Sequence, residues 1–251
     1  MRILTALGGN AILQRGQKGG AEEQAESVER TVEQIVRMIQ AGHNVVVTHG
    51  NGPQVGAILI QNELGNSSVP AMPMDVCGAE SQGMIGYMFC QSFQNVFERE
   101  GMKGHEAACL VTRVEVDADD PAFANPAKPV GPFYSEEAAA LRMDKTGETW
   151  AEDAGRGWRR VVPSPEPKAI VDEKAVNTLL ERGFTIIASG GGGIPVIRTP
   201  DGRWQGVEAV IDKDLAAERL AAAVGAEVLM ILTDVRGAAI NYGGPDMKWL
   251  D

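Results

Sequence analysis

The 251-residue sequence contains few cysteines and no long apolar run. Its cysteines, Cys77, Cys90 and Cys109, form no C-x-x-C pair, so neither a disulfide framework nor a zinc site is expected. A reducing, cytoplasmic compartment is the natural interpretation. The longest apolar runs, such as VLMIL at 228–232, are far too short to cross a membrane. No signal peptide is expected either, because a strand pattern begins at the first residues.

The sequence also lacks an excess of positive charge. It carries 23 basic and 34 acidic residues, for a net charge of −11, which disfavours a nucleic-acid partner because such proteins show a basic stripe. The three histidines have no metal-ligand spacing, and no Ser-His-Asp constellation can be assembled. His49 is predicted to be a buried structural residue rather than a general base. An anionic ligand would therefore need a few well-placed cations and backbone N–H groups.

Short apolar runs that end in glycine-rich or polar loops recur along the chain. The four runs and their loops are 3–7 before GGN (8–10), 44–48 before HGNG (49–52), 184–188 before SGGGG (189–193), and 228–232 before TDVRG (233–237). Helical patterns over 24–41, 53–63 and 172–182 alternate with them. This alternation predicts an α/β fold with a parallel sheet covered on both faces. Because ligands bind beyond the carboxyl ends of such strands, the four loops are predicted to share one site.

Glycines in these loops would let backbone N–H groups approach an anion closely. Two common phosphate motifs are absent, since no G-x-x-x-x-G-K-[ST] occurs and GNGPQVG (50–56) does not match the dinucleotide fingerprint. Turn formation alone would explain one such loop. Four at one sheet edge favour anion binding.

A helix is predicted to begin near Lys213 and to stop at Gly225, with Asp212 as its N-cap. The face predicted to be apolar comprises Leu215, Ala216, Leu220 and Val224. Lys213 lies in the first turn, where the helix dipole disfavours a cation. A solvated lysine is one explanation, and a bound anion is the other. Asp214 could pair with the Lys213 ammonium locally or orient it.

Residues 117–168 interrupt the alternation of strands and helices and contain more than half of the 13 prolines. The segment is too long for an ordinary connection, so we predict one domain over 1–251 with a protruding lid at 117–168. Pro126 and Pro129 stiffen the chain around Lys128. The lid arginines are predicted to lie on a solvated face: Arg156, Arg159 and Arg160.

Together, nine blocks resemble the carbamate kinases of the amino acid kinase superfamily over essentially the whole chain. They are ALGGNA (6–11), RGQKG (15–19), THGNGPQVG (48–56), PMDVCGAESQGMIGY (73–87), DPAFANPAKPVGPFY (120–134), GRGWRRVVPSPEPK (155–168), ASGGGGIPVI (188–197), GVEAVIDKDLA (206–216) and LTDVRGAAINYG (232–243). The resemblance implies a three-layer αβα sandwich with a mainly parallel central sheet of about eight strands, and a homodimer. It also implies the reversible reaction of ATP and carbamate to give ADP and carbamoyl phosphate, often used toward ATP and serving arginine metabolism.

The resemblance also implies roles for individual residues. Lys128 and Lys213 would contact the transferred phosphoryl group, with Asp214 holding Lys213. Carbamate and that group would lie against Gly8, Gly9, Asn10, Gly50, Asn51 and Gly52. The nucleotide would lie against Ser189, Gly190, Gly191, Asp234, Val235, Gly237, Ala238 and Tyr242. Magnesium would sit mainly on phosphate oxygens, so no protein metal ligand is assigned.

The sequence departs from the family at its end. Carbamate kinases usually continue for several dozen residues past NYG (241–243), through a lysine-bearing SMGPK segment, whereas this sequence ends with GGPDMKWLD (243–251). We expect these residues to be part of a longer protein. The alternative is an impaired homologue that binds nucleotide or carbamoyl phosphate without turnover. A kinase with another acceptor, such as acetylglutamate or uridylate, is a third hypothesis, and the lid blocks speak against it.

Overall fold

A computed structural model describes residues 1–14, 16–153, 155–233, 237, 239–241 and 243–250, without the side chain of Asn10. Its helices are α1 (Ala21–Gln40), α2 (Gly52–Gly65), α3 (Met74–Arg99), α4 (Glu136–Thr146), α5 (Glu173–Glu181) and α6 (Lys213–Ala223). Its strands are β1 (Arg2–Leu7), β2 (Asn44–His49), β3 (Ala107–Cys109), β4 (Arg113–Val116), β5 (Lys128–Tyr134), β6 (Trp150–Glu152), β7 (Trp158–Val162), β8 (Pro167–Ile170), β9 (Thr185–Ile187), β10 (Ile194–Arg198), β11 (Trp204–Gly206), β12 (Val228–Leu232), β13 (Ala239–Ile240) and β14 (Lys248–Trp249).

The central sheet is parallel throughout, in the order β12-β1-β2-β9-β3. The four strands predicted from the sequence are four consecutive neighbours in it, which confirms the predicted sheet. Among the described residues it has five strands, fewer than the eight or so implied by the resemblance. The chain turns at 110–112 and at 188–193 and enters a second sheet, β11-β10-β4-β8.

Side chains of the central strands alternate between two cores, one on each face of the sheet. Leu4 and Val46 pack with α5 and α6, for example against Leu220. Val45 and Val47 pack on the opposite face with α1 and α3. Because successive residues of a strand point to opposite faces, apolar runs such as VVV in β2 serve both cores. The result is the three-layer αβα arrangement that the sequence predicts.

The predicted helices are present within a few residues of their predicted ends. In α6, Asp212 is the N-cap as predicted, and its side chain accepts a hydrogen bond from the Asp214 N–H. The predicted apolar face of α6 was wrong at Leu215, which is 48% exposed. Ala216, Ala217 and Leu220 are buried instead. A helix turns about 100° per residue, so these positions together with Val224 face the sheet and Leu215 does not.

The longest helix, α3, has 26 residues, and the sequence patterns predict no helix there. Phe89, Phe93 and Phe97 recur every four residues and pack along its buried face, with tilted rings whose centroids are 6.5 and 5.5 Å apart. Several glycines weaken the pattern, because glycine is a poor helix former. No helix in the described part of the chain combines the length and apolarity required to cross a bilayer.

Between β4 and β8 the chain forms a small antiparallel sheet, β5-β7-β6, together with α4. Ser135 caps the start of α4, and Gly147 ends it in a left-handed conformation with φ of 70°. These elements lie within the segment 117–168. Its action as a lid, and a single domain over 1–251, remain predictions.

One helix glycine is required by packing and another is not, which allows a matched test. A Cβ on Gly86 of α3 would overlap the side chain of Cys109 in β3, whereas a Cβ on Gly83 would meet nothing within 4 Å. Gly86→Ala is expected to lower the free energy of unfolding by about 1–3 kcal/mol through overpacking. Gly83→Ala is expected to raise it by up to about 1 kcal/mol through helix propensity. Urea unfolding of both variants measures this, and equal effects would contradict the packing argument.

Candidate active site

A cavity of about 350 Å³ opens at the carboxyl ends of the central strands, and we call it the strand-end cavity. It is lined by Gly9, Gly50, Asn51, Gly52, Pro53, Val55, Lys128, Pro129, Val130, Arg159, Gly191, Val210, Ile211, Asp212, Lys213 and Asp214. These residues come from the loops after β1, β2 and β9, from the start of α2, from β5 and β7, and from the start of α6 with the loop before it. Three of the four predicted loops therefore meet here.

Glycines allow these loops to approach one another at the cavity. A Cβ on Gly50 would lie 3.4 Å from the backbone nitrogen of Gly9 and 3.5 Å from Cδ of Lys213. A Cβ on Gly191, whose φ is +67°, would overlap the amide of Asn51. The loops of β1, β2 and β9 and the stem of Lys213 are thus packed together, and larger residues would separate them.

Two of the predicted backbone donors are already engaged. The N–H of Gly8 donates to the carbonyl of Leu232 at 3.0 Å, and that of Gly50 donates to the carbonyl of Leu7 at 2.9 Å. The first turn of α2 differs, because Asn51 makes no side-chain capping bond and the first N–H groups of a helix have no intrahelical acceptor. The start of α2 therefore offers N–H donors and the positive end of a helix dipole to the cavity.

Two lysines reach the strand-end cavity, each paired with its own carboxylate. Nζ of Lys128, on β5, lies 2.8 Å from Oδ2 of Asp212. Nζ of Lys213 lies 2.6 Å from Oδ1 of Asp214. Both lysine side chains are partly exposed. The cavity thus presents two partly exposed lysines, and each of them is paired with a carboxylate that also lines the cavity.

Asp212 is the more constrained of the two carboxylates. Burial acts to raise its pKa, but the hydrogen bonds from Lys128 and from the N–H groups of Asp214 and Leu215 outweigh burial, so the pKa lies below its ordinary value. Asp212 is therefore ionised at neutral pH and its ion pair with Lys128 is charged.

Behind the cavity, buried polar residues fix the loop after β9. Ser189, in a left-handed conformation with φ of 54°, donates its N–H to Oγ1 of Thr112. Gln82 of α3 donates to the carbonyl of Gly190 at 3.0 Å and accepts from the N–H of Thr112 at 2.7 Å. Of the three loop residues predicted to bind nucleotide, Gly191 alone lines the strand-end cavity. Ser189 and Gly190 are buried and support it.

His49 is a structural residue, as the sequence predicts. It is 1% exposed, stacks on Phe89 with ring centroids 5.9 Å apart, and shares a 2.9 Å hydrogen bond between Nδ1 and the carbonyl of Gly50. A Cβ on Gly190 would overlap its ring. Burial lowers the pKa of His49 to about 4, against a slight opposing effect of the Gly50 hydrogen bond, so the ring is neutral at pH 7.

Several predicted site residues lie outside the described part of the chain: the side chain of Asn10, and Asp234, Val235, Ala238 and Tyr242. Gly237 is described, and it does not line the strand-end cavity. Among the described residues, no group of three or more His, Cys, Asp or Glu side chains could hold a metal. Two carboxylates, Asp212 and Asp214, line the cavity, and a magnesium ion bound chiefly by phosphate oxygens and water takes only one or two carboxylates from a protein.

Sequence reasoning missed the position of Arg159. It is predicted to lie on a solvated face, yet it lines the strand-end cavity. Its Nε donates to the carbonyl of Gly131 at 3.0 Å, its Nη1 pairs with Asp153 at 3.1 Å, and it stacks on Phe133. Alternation along β7 was the available signal, because neighbouring residues of a strand point to opposite faces and one of Arg159 and Arg160 must point inward.

The three-layer fold and the cationic, glycine-lined cavity are typical of α/β enzymes that bind phosphate groups at the carboxyl ends of their strands. The family model described as Amino acid kinase family matches residues 1–241. A carbamate kinase from Thermococcus kodakarensis is 58% identical over 99% of this chain and 79% of that protein. One from Pyrococcus furiosus is 53% identical over the same shares.

A solved structure of carbamate kinase from Giardia lamblia bound to AMP-PNP superposes with a TM-score of 0.88 at 48% identity, covering 99% of this chain and 78% of that one. The chain therefore belongs to the amino acid kinase family and, within it, to the carbamate kinases.

The buried neutral imidazole predicts a specific acid sensitivity. Between pH 6.5 and about 4 the unfolded chain protonates His49 while the folded chain does not, so protons favour unfolding in that window. The free energy of unfolding of the wild type, minus that of His49→Gln, should fall by about 3 kcal/mol from pH 7 to pH 4. Denaturant unfolding at each pH measures this difference. The difference in free energy of unfolding between the two proteins should stay nearly constant from pH 7 to 8. A difference that stays constant down to pH 4 would contradict a neutral buried ring.

Proposed function

We propose that the chain catalyses the reversible transfer of a phosphoryl group between ATP and carbamate, and that it works toward ATP. The observation that carries the proposal is the convergence of Lys128 and Lys213 on the glycine loops in the strand-end cavity. Similarity to carbamate kinases over nearly the whole chain supports it. Nothing in these comparisons, or among the described residues, favours a binding protein without turnover.

In the direction of ATP synthesis, the bond between phosphorus and the carbamate oxygen of carbamoyl phosphate breaks. A new bond forms to a terminal oxygen of the ADP diphosphate, and carbamate leaves. The protein supplies little covalent chemistry in such a transfer, so positioning and charge neutralisation set the rate. The ammonium groups of Lys128 and Lys213 neutralise the moving phosphoryl group, while Asp214 holds Lys213.

The glycine loops position carbamate and the phosphoryl group. Because the N–H groups of Gly8 and Gly50 are engaged, donation falls to Gly9, the residue at 10 and the first turn of α2, including Gly52. One N–H of the Asn51 amide donates to Oγ of Ser81 at 2.8 Å, which fixes the orientation of this amide at the cavity. Gly50 lines the cavity without donating to the ligand, and Gly8 lies outside the lining, hydrogen-bonded to Leu232.

Nucleotide binding is assigned to the same carboxyl-end side of the sheet, at the loops after β9 and β12. The AMP-PNP bound to the Giardia relative supports an ATP site in this chain. The nucleotide would lie against Gly191, which Ser189 and Gly190 support from behind, and the resemblance to the carbamate kinases assigns Asp234, Val235, Gly237, Ala238 and Tyr242 to the same site. Magnesium bound to the phosphates would neutralise their charge, with Asp212 and Asp214 as the nearest described carboxylates of the cavity.

The wider setting of the proposal is a cytoplasmic homodimer in arginine metabolism. The resemblance of the sequence to the carbamate kinases supports the dimer and the pathway, and the scarcity of cysteine supports the compartment.

The direct test is formation of ATP from ADP and carbamoyl phosphate with magnesium. Lys128→Ala and Lys213→Ala are each expected to lower kcat by about 100- to 1000-fold, as loss of a charge-stabilising group does. Circular dichroism of each variant should match the wild type, because both lysines are partly exposed.

Two lysines outside the site serve as matched controls. Lys168 forms an exposed pair with Asp117, and Lys174 lies in the first turn of α5 as Lys213 does in α6. Their alanine variants are expected to retain wild-type turnover. A wild-type chain that binds ADP but makes no ATP would refute the proposed function.

A further inference from the structure

Asp212 uses its two carboxylate oxygens for two separate tasks. Oδ1 accepts the N–H of Asp214 at 2.9 Å and so caps α6. Oδ2 accepts Nζ of Lys128 at 2.8 Å, from a residue 84 positions away on β5. One side chain therefore joins the helix that carries Lys213 to the strand that carries Lys128.

The backbone of Lys128 is held in place by its neighbours, whereas packing alone does not fix the ammonium group of its side chain. Lys128 pairs with Val162 of β7, and the neighbouring Val130 is buried against Met74 with Val210 packed beside it. The lysine side chain is 37% exposed, and its four methylene groups can rotate. Holding such a strongly hydrated ammonium in one place costs rotamer entropy, so a stationary partner is needed to keep it over the cavity.

We propose that Asp212 is a positioning residue that acts through Lys128. This inference rests on the proposed function. The Asp212 carboxylate holds the Lys128 ammonium over the strand-end cavity. Because Asp212 also caps α6, it fixes the position of that ammonium relative to Lys213. The arriving phosphoryl group then meets two cations already in place. Asp214 serves Lys213 in the same way, so each lysine has its own carboxylate.

A purely structural role for Asp212, as helix cap, makes a different prediction. Asparagine and serine are good N-caps, so Asp212→Asn and Asp212→Ser retain the cap and remove the charge. The positioning role predicts that Asp212→Asn lowers kcat about tenfold or more, because small misplacements of a catalytic group are costly, with KM for ADP unchanged. A cap alone predicts no loss of kcat in either variant.

The test is a double-mutant cycle in the ATP-forming assay. If Asp212 acts through Lys128, adding Asp212→Asn to Lys128→Ala should lower kcat by no more than about twofold further. Thermal unfolding accompanies each variant, and Asp212→Ser replaces Asp212→Asn should the latter fail to fold. Asp172→Asn is the control, since Asp172 also occupies the N-cap position of a helix and pairs with a cation, Arg113, at 2.7 Å, although its side chain makes no capping bond, and it lies outside the cavity. It should leave kcat and KM unchanged.

The outcomes separate this inference from the proposed function. A wild-type kcat in the Asp212→Asn variant, or a loss that persists in full when Lys128 is already alanine, would overturn the positioning role while leaving the kinase intact. A wild-type chain without turnover would refute the proposed function and this inference with it. A large loss that disappears in the Lys128→Ala background would establish it.

Discussion

Parallel pairing of β12, β1, β2 and β9 is the constraint on which the site depends. In a parallel sheet all carboxyl ends lie at one edge, so loops far apart in sequence become neighbours. The remaining separation is closed by glycine, since side chains at Gly50 or Gly191 would push apart the loops they contact. The positions of Lys213 and of the first turn of α2 follow from this packing.

The side chains around the cavity include several cations, whereas the molecule as a whole is negatively charged. The chain carries a net charge of −11, so an anionic substrate approaches an unfavourable global field. The cavity compensates locally with Lys128, Lys213, Arg159 and a helix N-terminus. Each of the three side-chain cations has an acidic partner, so a carboxylate accompanies every one of these positive charges. The buried neutral ring of His49 adds no charge behind it.

Local patterns were sufficient for much of the fold. The apolar runs and their loops predicted four neighbouring strands, and the 3.6-residue period predicted α1, because each pattern records which residues face a core. Asp212 as a cap and the position of Lys213 also followed from local rules. In α3 such rules failed, because Gly86 serves contact with Cys109 rather than helix formation.

The cavity itself was only partly predictable. The location of the site at the strand ends and the roles of the two lysines were predicted from the sequence pattern and from the family resemblance. Engagement of the Gly8 and Gly50 N–H groups was not, because their acceptors belong to neighbouring strands. The inward position of Arg159 and the pair between Lys128 and Asp212 depend on how the 117–168 segment packs on the sheet. Alternation along β7 indicates that one of its two arginines points inward, but no periodicity indicates which surface that arginine meets or that Lys128 contacts Asp212.

The central claim is that one cavity at the strand ends holds the group in transfer between the two lysines. A crystal structure of the chain with ADP, magnesium and aluminium fluoride, a mimic of the transferring phosphoryl group, tests it most directly. The account predicts the fluoride in the strand-end cavity, within hydrogen-bonding distance of Nζ of both Lys128 and Lys213. A nucleotide and fluoride bound away from both lysines would contradict it.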